Sequence, residues 1–377
     1  MHIETGIDVL EAQHFAPLRG KRVGLITNQT GVDANGRRTI DVLAKAEGVK
    51  LVAIFSPEHG IAASEDSAVV SNATEPATGL PIYSLYGETR RPTDTMLQGI
   101  DALVFDIQDV GVRFYTYVTT MAYCMEAAAK HNVPFFVLDR PNPLGGEIIE
   151  GPMLDADKLS FVGYFPMPVR YAMTLGEVAK MFNGENKIGA DLSVFEVQNW
   201  RRSEMYWMTR LAWIAPSPNL PGIANLIPYP GIEILQAGGV SVGRGTDSAF
   251  LEFGAPWIKP EELLAELKRR SISGVIFEAK TFTPKTGPYA GEKCEGVGLT
   301  VKERDGFRSM LMGLEIAEAL HKLYPQQFQI KRMITLLGSQ STVERLRHGD
   351  DPKAIAAGWD SDLATFRAMR AKYLIYR

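Results

Sequence analysis

The sequence has only two cysteines in 377 residues, Cys124 and Cys294. Two thiols so far apart form neither a disulfide framework nor a zinc-binding pattern, so we expect both to be reduced and buried. No run of about eighteen apolar residues occurs, so no transmembrane helix is predicted. The first residues show no basic segment followed by an apolar one. We therefore expect a cytoplasmic protein, unless a leader has been removed.

The chain also lacks a basic charge excess and the common nucleotide and protease motifs. Its formal net charge is -4, which offers no basic field for nucleic acid, and we expect neither nucleic acid nor a membrane as a partner. The patterns GxxxxGK[ST], GxSxG and HExxH are absent, which argues against P-loop NTPases, α/β-hydrolases and zincins. The glycines around Arg244 have the wrong spacing for a dinucleotide fingerprint. We expect no cofactor.

What the sequence does contain is a regular alternation of strand and helix patterns between residues 21 and 150. Strands are predicted at residues 21–28, 49–55, 80–86, 102–105 and 133–138, and helices at 39–46, 93–100 and about 113–130. This order predicts an α/β fold with a parallel sheet covered by helices on both faces.

Residues 151–377 have a different pattern of predicted elements, typical of a mixed α+β domain with long loops. The predicted elements are helices at 174–182, 260–270, 305–324 and 361–373, and strands at 191–197, 274–283 and 297–301. No flexible linker separates the two parts, so we expect them to pack closely.

Polar residues follow the ends of the predicted parallel strands. In chain order they are Asn28, Glu58 with His59, Asp106 with Asp109, and Asp139 with Arg140 and Asn142. Because the carboxyl ends of parallel strands meet at one edge of a sheet, we expect these residues to converge on one crevice.

Each of these groups allows a catalytic and a structural interpretation. Glu58 and His59 could exchange protons with a substrate, or Glu58 could stabilise a helix that begins at Ser56 and Pro57. Asp106 and Asp109 could bind hydroxyls or a metal, or could pair with Arg113 at a buried strand end.

Three further motifs supply candidates for binding. Arg113 could hold an anion, and Tyr115 and Tyr117 could stack on a sugar ring or belong to the core. Asn142 lies between two prolines that fix its direction. Arg244 is flanked by glycines that permit positive φ and close approach to a ligand.

Six segments together resemble one known family. They are FSPEHG at 55–60, LPIYSLYG at 80–87, VFDIQDVGVRFYTY at 104–117, LDRPNP at 138–143, PSPNLP at 216–221 and SVGRGTD at 241–247. In sequence and order they are similar to the exo-β-N-acetylmuramidases of glycoside hydrolase family 171, formerly a domain of unknown function. The resemblance spans nearly the whole chain.

This resemblance implies a Rossmann-like domain over residues 1–150, a smaller mixed α+β domain over 151–377, and an active-site cleft between them. It also implies a glycosidase that releases N-acetylmuramic acid from the non-reducing ends of peptidoglycan fragments, without a metal. Glu58 in SPEHG matches the family's leading catalytic candidate, which favours a role as general acid and base.

The chain departs from the family pattern at two places. After SPEHG the family usually continues with Phe-Arg-Gly, whereas here residues 61–64 read IAAS before Glu65 and Asp66. Ala172 stands before Met173 and Thr174 where the family commonly has glycine. The loop beside Glu58 is therefore expected to differ in shape.

The chemistry of muramic acid suggests roles for the remaining candidates. A lactyl carboxylate needs an arginine, the N-acetyl group needs amides, and ring hydroxyls need carboxylates. The candidate substrate-binding residues are Asn28, Arg113, Tyr115, Tyr117, Asp139, Arg140, Asn142, Asn219, Arg244 and Asp247. The second catalytic role falls to Asp106, to Asp109 or to the substrate's own acetamide, with His59 beside Glu58.

Two alternatives remain. A metal-dependent hydrolase would use Glu58, His59, Asp106 and Asp109 as ligands. A non-catalytic muropeptide-binding protein would use the same sheet only to hold its ligand.

Overall fold

The computed structural model describes residues 2–62 and 69–377, and these contain twelve strands. In chain order they are β1 (Arg22–Thr27), β2 (Lys50–Ser56), β3 (Ala73–Thr74), β4 (Pro81–Ser84), β5 (Ala102–Asp106), β6 (Phe135–Leu138), β7 (Glu150–Met153), β8 (Pro168–Arg170), β9 (Leu192–Phe195), β10 (Glu252–Ala255), β11 (Val275–Phe282) and β12 (Cys294–Val301).

The same residues contain thirteen α-helices and three short 3₁₀ helices, at Ala16–Leu18, Ala156–Lys158 and Ile330–Met333. The α-helices are α1 (Gly6–Ala12), α2 (Thr39–Lys45), α3 (Tyr117–Lys130), α4 (Leu175–Glu185), α5 (Tyr206–Thr209), α6 (Ile223–Leu226), α7 (Tyr229–Ala237), α8 (Pro260–Arg270), α9 (Ser309–Leu323), α10 (Ile334–Leu337), α11 (Gln340–Arg347), α12 (Pro352–Ala357) and α13 (Asp360–Arg370). None of the helices in the described ranges is long and apolar enough to cross a membrane.

The first sheet has seven strands in the order β3-β4-β2-β1-β5-β6-β9. All neighbouring pairs are parallel except β3 with β4. The sequence prediction of an α/β domain with a parallel sheet is confirmed. Its last strand, β9, lies beyond residue 150, so this sheet takes one strand from the part of the chain that we expected to form the second domain.

The apolar run in β5 is explained by burial on both faces of this sheet. Leu103 and Phe105 belong to the larger hydrophobic core, and Ala102 and Val104 belong to a separate core on the other side. Successive side chains of a strand point to opposite faces, so a strand covered on both sides needs apolar residues throughout.

The second part of the chain carries a three-stranded antiparallel sheet, in the order β10-β12-β11, and the pair β7-β8. The larger core runs without interruption from Ile26 in the first sheet to Phe366 in α13, which confirms close packing of the two parts. Both cysteines are free and buried, as predicted.

Two helix predictions differ from the structure. Residues 94–99 form consecutive turns, and Gly99 has a left-handed φ of 80° that a helix does not accommodate. The helix expected from about Arg113 begins at Tyr117. Its start is delayed because the Arg113 backbone N–H donates to the Val169 carbonyl at 2.8 Å, which holds residues 112–113 against β8.

The segment after α13 returns to the first sheet. The Tyr376 hydroxyl donates to Asp139 Oδ2 at 2.6 Å and accepts a hydrogen bond from the Val197 backbone N–H at 2.9 Å. The Arg202 backbone N–H donates to the Arg377 carbonyl at 2.9 Å. This segment therefore closes over the end of β6 and the residues that follow β9.

Candidate active site

Glu58 lies in a tight turn directly after β2. Residues 58–60 form a turn, and His59 and Gly60 have positive φ values of 70° and 76°. Such angles are incompatible with a right-handed helix, so the interpretation of Ser56 and Pro57 as a helix start is wrong. The strain at His59 is the kind that a structure retains where a side chain must be directed into a site.

The Glu58 carboxylate is held by the residue that precedes a neighbouring helix. Its Oε2 atom accepts a hydrogen bond from the hydroxyl of Thr116, the N-cap residue of α3. The side chain is half-buried. Glu58 is thus fixed at one oxygen and partly open to solvent, the arrangement that a proton donor to an incoming ligand needs.

Asp109 follows β5 and is almost entirely buried. Its Oδ2 atom accepts hydrogen bonds from the Tyr171 hydroxyl and, at 2.7 Å, from the Gly111 backbone N–H. Its Oδ1 atom has no hydrogen-bond partner among the described residues. Burial raises the pKa of Asp109 to about 6, although the bonds from Tyr171 and Gly111 act in the opposite direction.

An aromatic cluster includes Tyr115 and Tyr117, the two neighbours of the Thr116 that holds Glu58. The rings of Tyr115 and Tyr117 meet edge to face with 4.8 Å between centroids, and Tyr229 continues the cluster 6.1 Å from Tyr115. Burial raises the pKa of Tyr229 well above its usual value, and the charges of Glu58 and Asp109 act in the same direction. Glu58 and Asp109 follow β2 and β5, which lie on either side of β1 in the parallel sheet, so the structure brings these strand ends to one edge as predicted.

Tyr117 is fixed by its hydroxyl group. It donates to the Pro216 carbonyl at 2.6 Å and accepts a hydrogen bond from Asn28 Nδ2 at 3.0 Å. Asn28 Oδ1 accepts a hydrogen bond from the Thr30 backbone N–H at 3.0 Å. Asn28 therefore positions Tyr117, and the segment around residue 216 lies over the end of β1.

The loop with Arg244 reaches the same cluster from the second part of the chain. Arg244 donates to Glu233 Oε1 at 2.7 Å, and its guanidinium lies 5.4 Å from the centroid of the Phe250 ring, which in turn contacts Tyr229. Asn219 Oδ1 accepts a hydrogen bond from the Gly245 backbone N–H at 2.8 Å and so holds the loop.

The prediction of positive φ at the glycines of this loop is confirmed. Gly243 and Gly245 have φ values of 73° and 74°, and a Cβ on Gly243 would meet Glu252 at 2.7 Å. Asp247, at the end of the same motif, is exposed to solvent.

Asp106 and Arg140 form a buried ion pair at the same edge of the sheet. Arg140 Nε donates to Asp106 Oδ1 at 2.6 Å and Nη2 donates to Oδ2 at 3.0 Å, while the Thr39 hydroxyl also donates to Oδ2. Asp106 has no exposed surface. Both of its oxygens are occupied, so this carboxylate supports the edge of the sheet.

Asp139 and Asn142 are likewise occupied by contacts within the protein. Asp139 accepts hydrogen bonds from the backbone N–H groups of Arg140 and Gly176 and from two hydroxyls, those of Thr174 and Tyr376. Burial raises its pKa to about 6. Asn142 donates to the Met173 carbonyl at 2.8 Å and accepts from the Leu144 backbone N–H at 2.9 Å.

Arg113 is not brought to the crevice, and the expectation that it holds a substrate anion needs correction. Its guanidinium donates to four backbone carbonyls, those of Pro152, Met167, Leu336 and Leu337, at 2.7 to 3.0 Å. The side chain is only 1% exposed, and burial lowers its pKa to about 9. The four carbonyls accept hydrogen bonds from all four N–H groups of the two terminal nitrogens.

The sequence interpretation missed Thr116, Tyr171 and Tyr229, which contact or surround the two carboxylates. Thr116 lies within a quoted motif, and Tyr171 immediately precedes the departure at Ala172, but neither hydroxyl could be linked to its carboxylate from the sequence. Residues 63–66 of the other departure lie outside the described residues. Across residues 2–62 and 69–377, no group of three His, Cys, Asp or Glu side chains is arranged to hold a metal ion.

Two models of one protein family match this chain. Residues 23–224 match the model described as exo-beta-N-acetylmuramidase NamZ, N-terminal, and residues 227–376 match its C-terminal counterpart. The curated peptidoglycan beta-N-acetylmuramidase NamZ of Bacillus subtilis (strain 168) is 42% identical over 99% of this chain and 91% of that protein.

Two solved structures share the fold. Both are DUF1343 family proteins from Bacteroides fragilis NCTC 9343. One, BF0371, has 38% identity and a TM-score of 0.91, and the other, BF0379, has 32% identity and a TM-score of 0.81. In each case the likeness covers 100% of this chain and 99% of the solved chain.

Proposed function

The chain belongs to the NamZ exo-β-N-acetylmuramidase family, and we propose from this and from the site geometry that Glu58 and Asp109 carry out the hydrolysis. The protein is a glycosidase, and its substrates are peptidoglycan fragments that end in N-acetylmuramic acid at the non-reducing end. The observation that carries the proposal is that Glu58, held by Thr116, and Asp109, whose Oδ1 has no partner among the described residues, follow strands β2 and β5, which end at the same edge of one parallel sheet. That the fragments are hydrolysed in the cytoplasm stays a prediction.

Glu58 is the proton donor in this proposal. As the bond between the muramic acid anomeric carbon and the bridging oxygen breaks, that oxygen takes a proton from Glu58. The Thr116 hydroxyl occupies one Glu58 oxygen and so directs the other toward the crevice. A water molecule then supplies the hydroxyl that completes the sugar, and Glu58 recovers a proton from it.

Asp109 stabilises the positive charge that develops on the sugar ring. It suits this role better than Asp106, because its Oδ1 atom has no partner among the described residues whereas both oxygens of Asp106 are occupied. An unpaired, buried carboxylate oxygen interacts strongly with a nearby positive charge because little water screens it.

Arg244 recognises the lactyl carboxylate that distinguishes muramic acid from glucosamine. Of the three candidate arginines, Arg113 is committed to carbonyls, and Arg140 lies with Asp106 outside the aromatic cluster. Arg244 is partly exposed and lies at the edge of the aromatic cluster, next to Phe250. The rings of Tyr115 and Tyr229 are only 7% and 4% exposed, so they belong to the core and leave little surface on which a sugar ring could pack.

The substrate is tested by mass analysis of products from two matched peptidoglycan fragments, one ending in N-acetylmuramic acid and one in N-acetylglucosamine. We expect release of free N-acetylmuramic acid from the first and no product from the second. Cleavage of only the glucosamine-terminated fragment would show that the substrate proposal is wrong.

The role of Glu58 is tested with Glu58→Gln, which keeps the side-chain size and removes the proton. We expect kcat to fall by a factor of about 10² to 10⁴, the usual contribution of a general acid. Glu47→Gln, at an exposed position, is the control and should keep wild-type activity. Equal activity of both variants would contradict the assignment.

A further inference from the structure

A cavity of about 240 Å³ lies at the edge of the first sheet, apart from the carboxylates of the active site. Its walls include Thr30 and Val32 after β1, Gln108 after β5 and Arg140 after β6. The chain leaves β1 toward β2 and leaves β5 toward β6, so the connections diverge at this point of the sheet. Divergence of this kind opens a crevice in which doubly wound sheets bind ligands.

A wall of hydrogen-bonded side chains separates this cavity from the catalytic crevice. Thr30 accepts a hydrogen bond from the Gln108 backbone N–H at 2.9 Å, and its hydroxyl donates to Asn28 Oδ1. Asn28 in turn donates to the Tyr117 hydroxyl on the other side. Thr30 and Gln108 line the cavity, whereas Glu58, Asp109 and Tyr117 do not.

Two nearly buried side chains offer unused hydrogen-bonding atoms to this cavity. Arg140 is 8% exposed, and its Nε and Nη2 atoms bind Asp106 and the Val32 carbonyl, which leaves Nη1 without a partner among the described residues. Gln108 is 4% exposed and donates twice through Nε2, to the carbonyls of Asp109 and Pro141. Its Oε1 atom has no partner in the described part of the chain.

The rim of the cavity adds positive charge. Arg210 is exposed and makes no ion pair within the described ranges, and the guanidinium of Arg140 adjoins the same space. The carboxylate in the lining, Asp33, is bound by Arg37 at 2.5 Å. A ligand here meets free N–H donors, one free carbonyl acceptor and an excess of positive charge.

We propose that this cavity binds a small carboxylic acid that also carries a hydroxyl or amino group. The carboxylate accepts hydrogen bonds from Arg140 Nη1 and pairs with Arg210, while the hydroxyl or amino group donates to Gln108 Oε1. The volume is below the range of about 300 to 1,000 Å³ that is usual for larger ligands, which limits the guest to a few heavy atoms. This inference does not depend on the glycosidase mechanism.

The test is titration of the full protein with lactate, followed by calorimetry and ligand-observed NMR. We expect saturable binding of lactate, weaker binding of acetate, which lacks the hydroxyl, and none of glycerol, which lacks the carboxylate. Absence of lactate binding at about 10 mM would overturn the proposal. Equal affinities for lactate and acetate would overturn it as well, because they would remove the role of Gln108.

Variants inside and outside the cavity show where lactate binds. Arg210→Ala should weaken binding about tenfold, as expected for a charge-assisted contact, and Arg201→Ala, a matched exposed arginine outside the cavity, should leave it unchanged. Ala212→Trp, which adds a bulky ring at an exposed position in the cavity wall, should abolish binding. If Arg244→Ala removes lactate binding and Arg210→Ala does not, lactate occupies the catalytic crevice and the proposal is wrong.

Discussion

Tyr171 donates its hydroxyl hydrogen to Oδ2 of Asp109, while Oδ1 of the same carboxylate has no partner among the described residues. Tyr171 follows β8, and Asp109 follows β5 of the other sheet. The protein thus holds one oxygen of this buried carboxylate, and we propose that the other interacts with the substrate.

Activity on the acidic side of the pH profile should follow the ionisation of Asp109. Burial raises the pKa of Asp109 to about 6, and the proposed mechanism needs this group ionised. Below that pH the carboxylate is protonated, so kcat/KM should fall about tenfold per pH unit on the acidic side, with the midpoint near 6. A pH profile measured on a muramic acid glycoside checks this, and a profile with its acidic midpoint near 4 would contradict it.

The second prediction uses Tyr171→Phe. Loss of the phenol removes a hydrogen bond that favours the charged form of Asp109, so the acidic midpoint should move up by about one pH unit, with little change in KM. Tyr164→Phe is the matched control, because Tyr164 also donates to a carboxylate, that of Glu126, but away from the site. If both variants have the same pH profile, Tyr171 does not position the catalytic carboxylate.

The third prediction separates structural from binding roles at Arg113. Arg113→Met keeps much of the volume but leaves four buried carbonyls without donors, so the free energy of unfolding should drop by about 3 to 5 kcal/mol. Urea denaturation measures this. Arg22→Ala, which breaks an exposed pair with Asp101, should change stability little. A stable Arg113→Met variant with a raised KM would instead support substrate binding.

The fourth prediction concerns Ala172, which has a φ of 53° where the family commonly has glycine. Glycine would relieve about 1 to 2 kcal/mol of left-handed strain. It would also lose about 0.8 kcal/mol of buried methyl and about 0.5 to 1 kcal/mol of chain entropy. Ala172→Gly should therefore lie within about 1 kcal/mol of wild type, whereas Ala172→Val should lose at least about 2 kcal/mol. Thermal unfolding of the two variants measures these changes in stability. Similar losses for Ala172→Gly and Ala172→Val would contradict the argument that the positive φ of residue 172 decides which side chains are tolerated.

The fifth prediction concerns metal ions. Asp106, one of four possible ligands, is bound by Arg140 and Thr39, so the carboxylates of this edge are not arranged around a shared ion. Hydrolysis should persist at an unchanged rate after exhaustive treatment with chelator. Loss of activity that returns on addition of a divalent cation would favour the metal-dependent alternative.

The positions of strand ends could be predicted from the sequence because burial on two faces leaves a local signal. The run from Ala102 to Phe105 needs no knowledge of its partners to be identified as a buried strand. The carboxyl ends of β2 and β5 then had to meet at one edge of a parallel sheet, and Glu58 and Asp109 do so.

The sequence could not predict whether each polar side chain has a structural or a binding role, because that role depends on partners far away in the chain. Arg113 binds carbonyls 223 and 224 residues further on, and nothing near Arg113 indicates them. Asp106 and Asp109 are equivalent by sequence, but Arg140 and Thr39 occupy both oxygens of Asp106, whereas Oδ1 of Asp109 has no partner among the described residues. The late start of α3 has a similar origin, in the bond from Arg113 to Val169.

The contacts of Tyr376 with the first sheet affect when the protein can finish folding during translation. Asp139 and Val197 obtain their contacts with this tyrosine only after a nascent chain has emerged past residue 376. Until then, the end of β6 lacks one of its closing hydrogen bonds, and the apolar face that the second part of the chain covers is exposed. The N-terminal half emerging from the ribosome therefore lacks part of its apolar cover, and its final folding is expected to follow translation of the last helix.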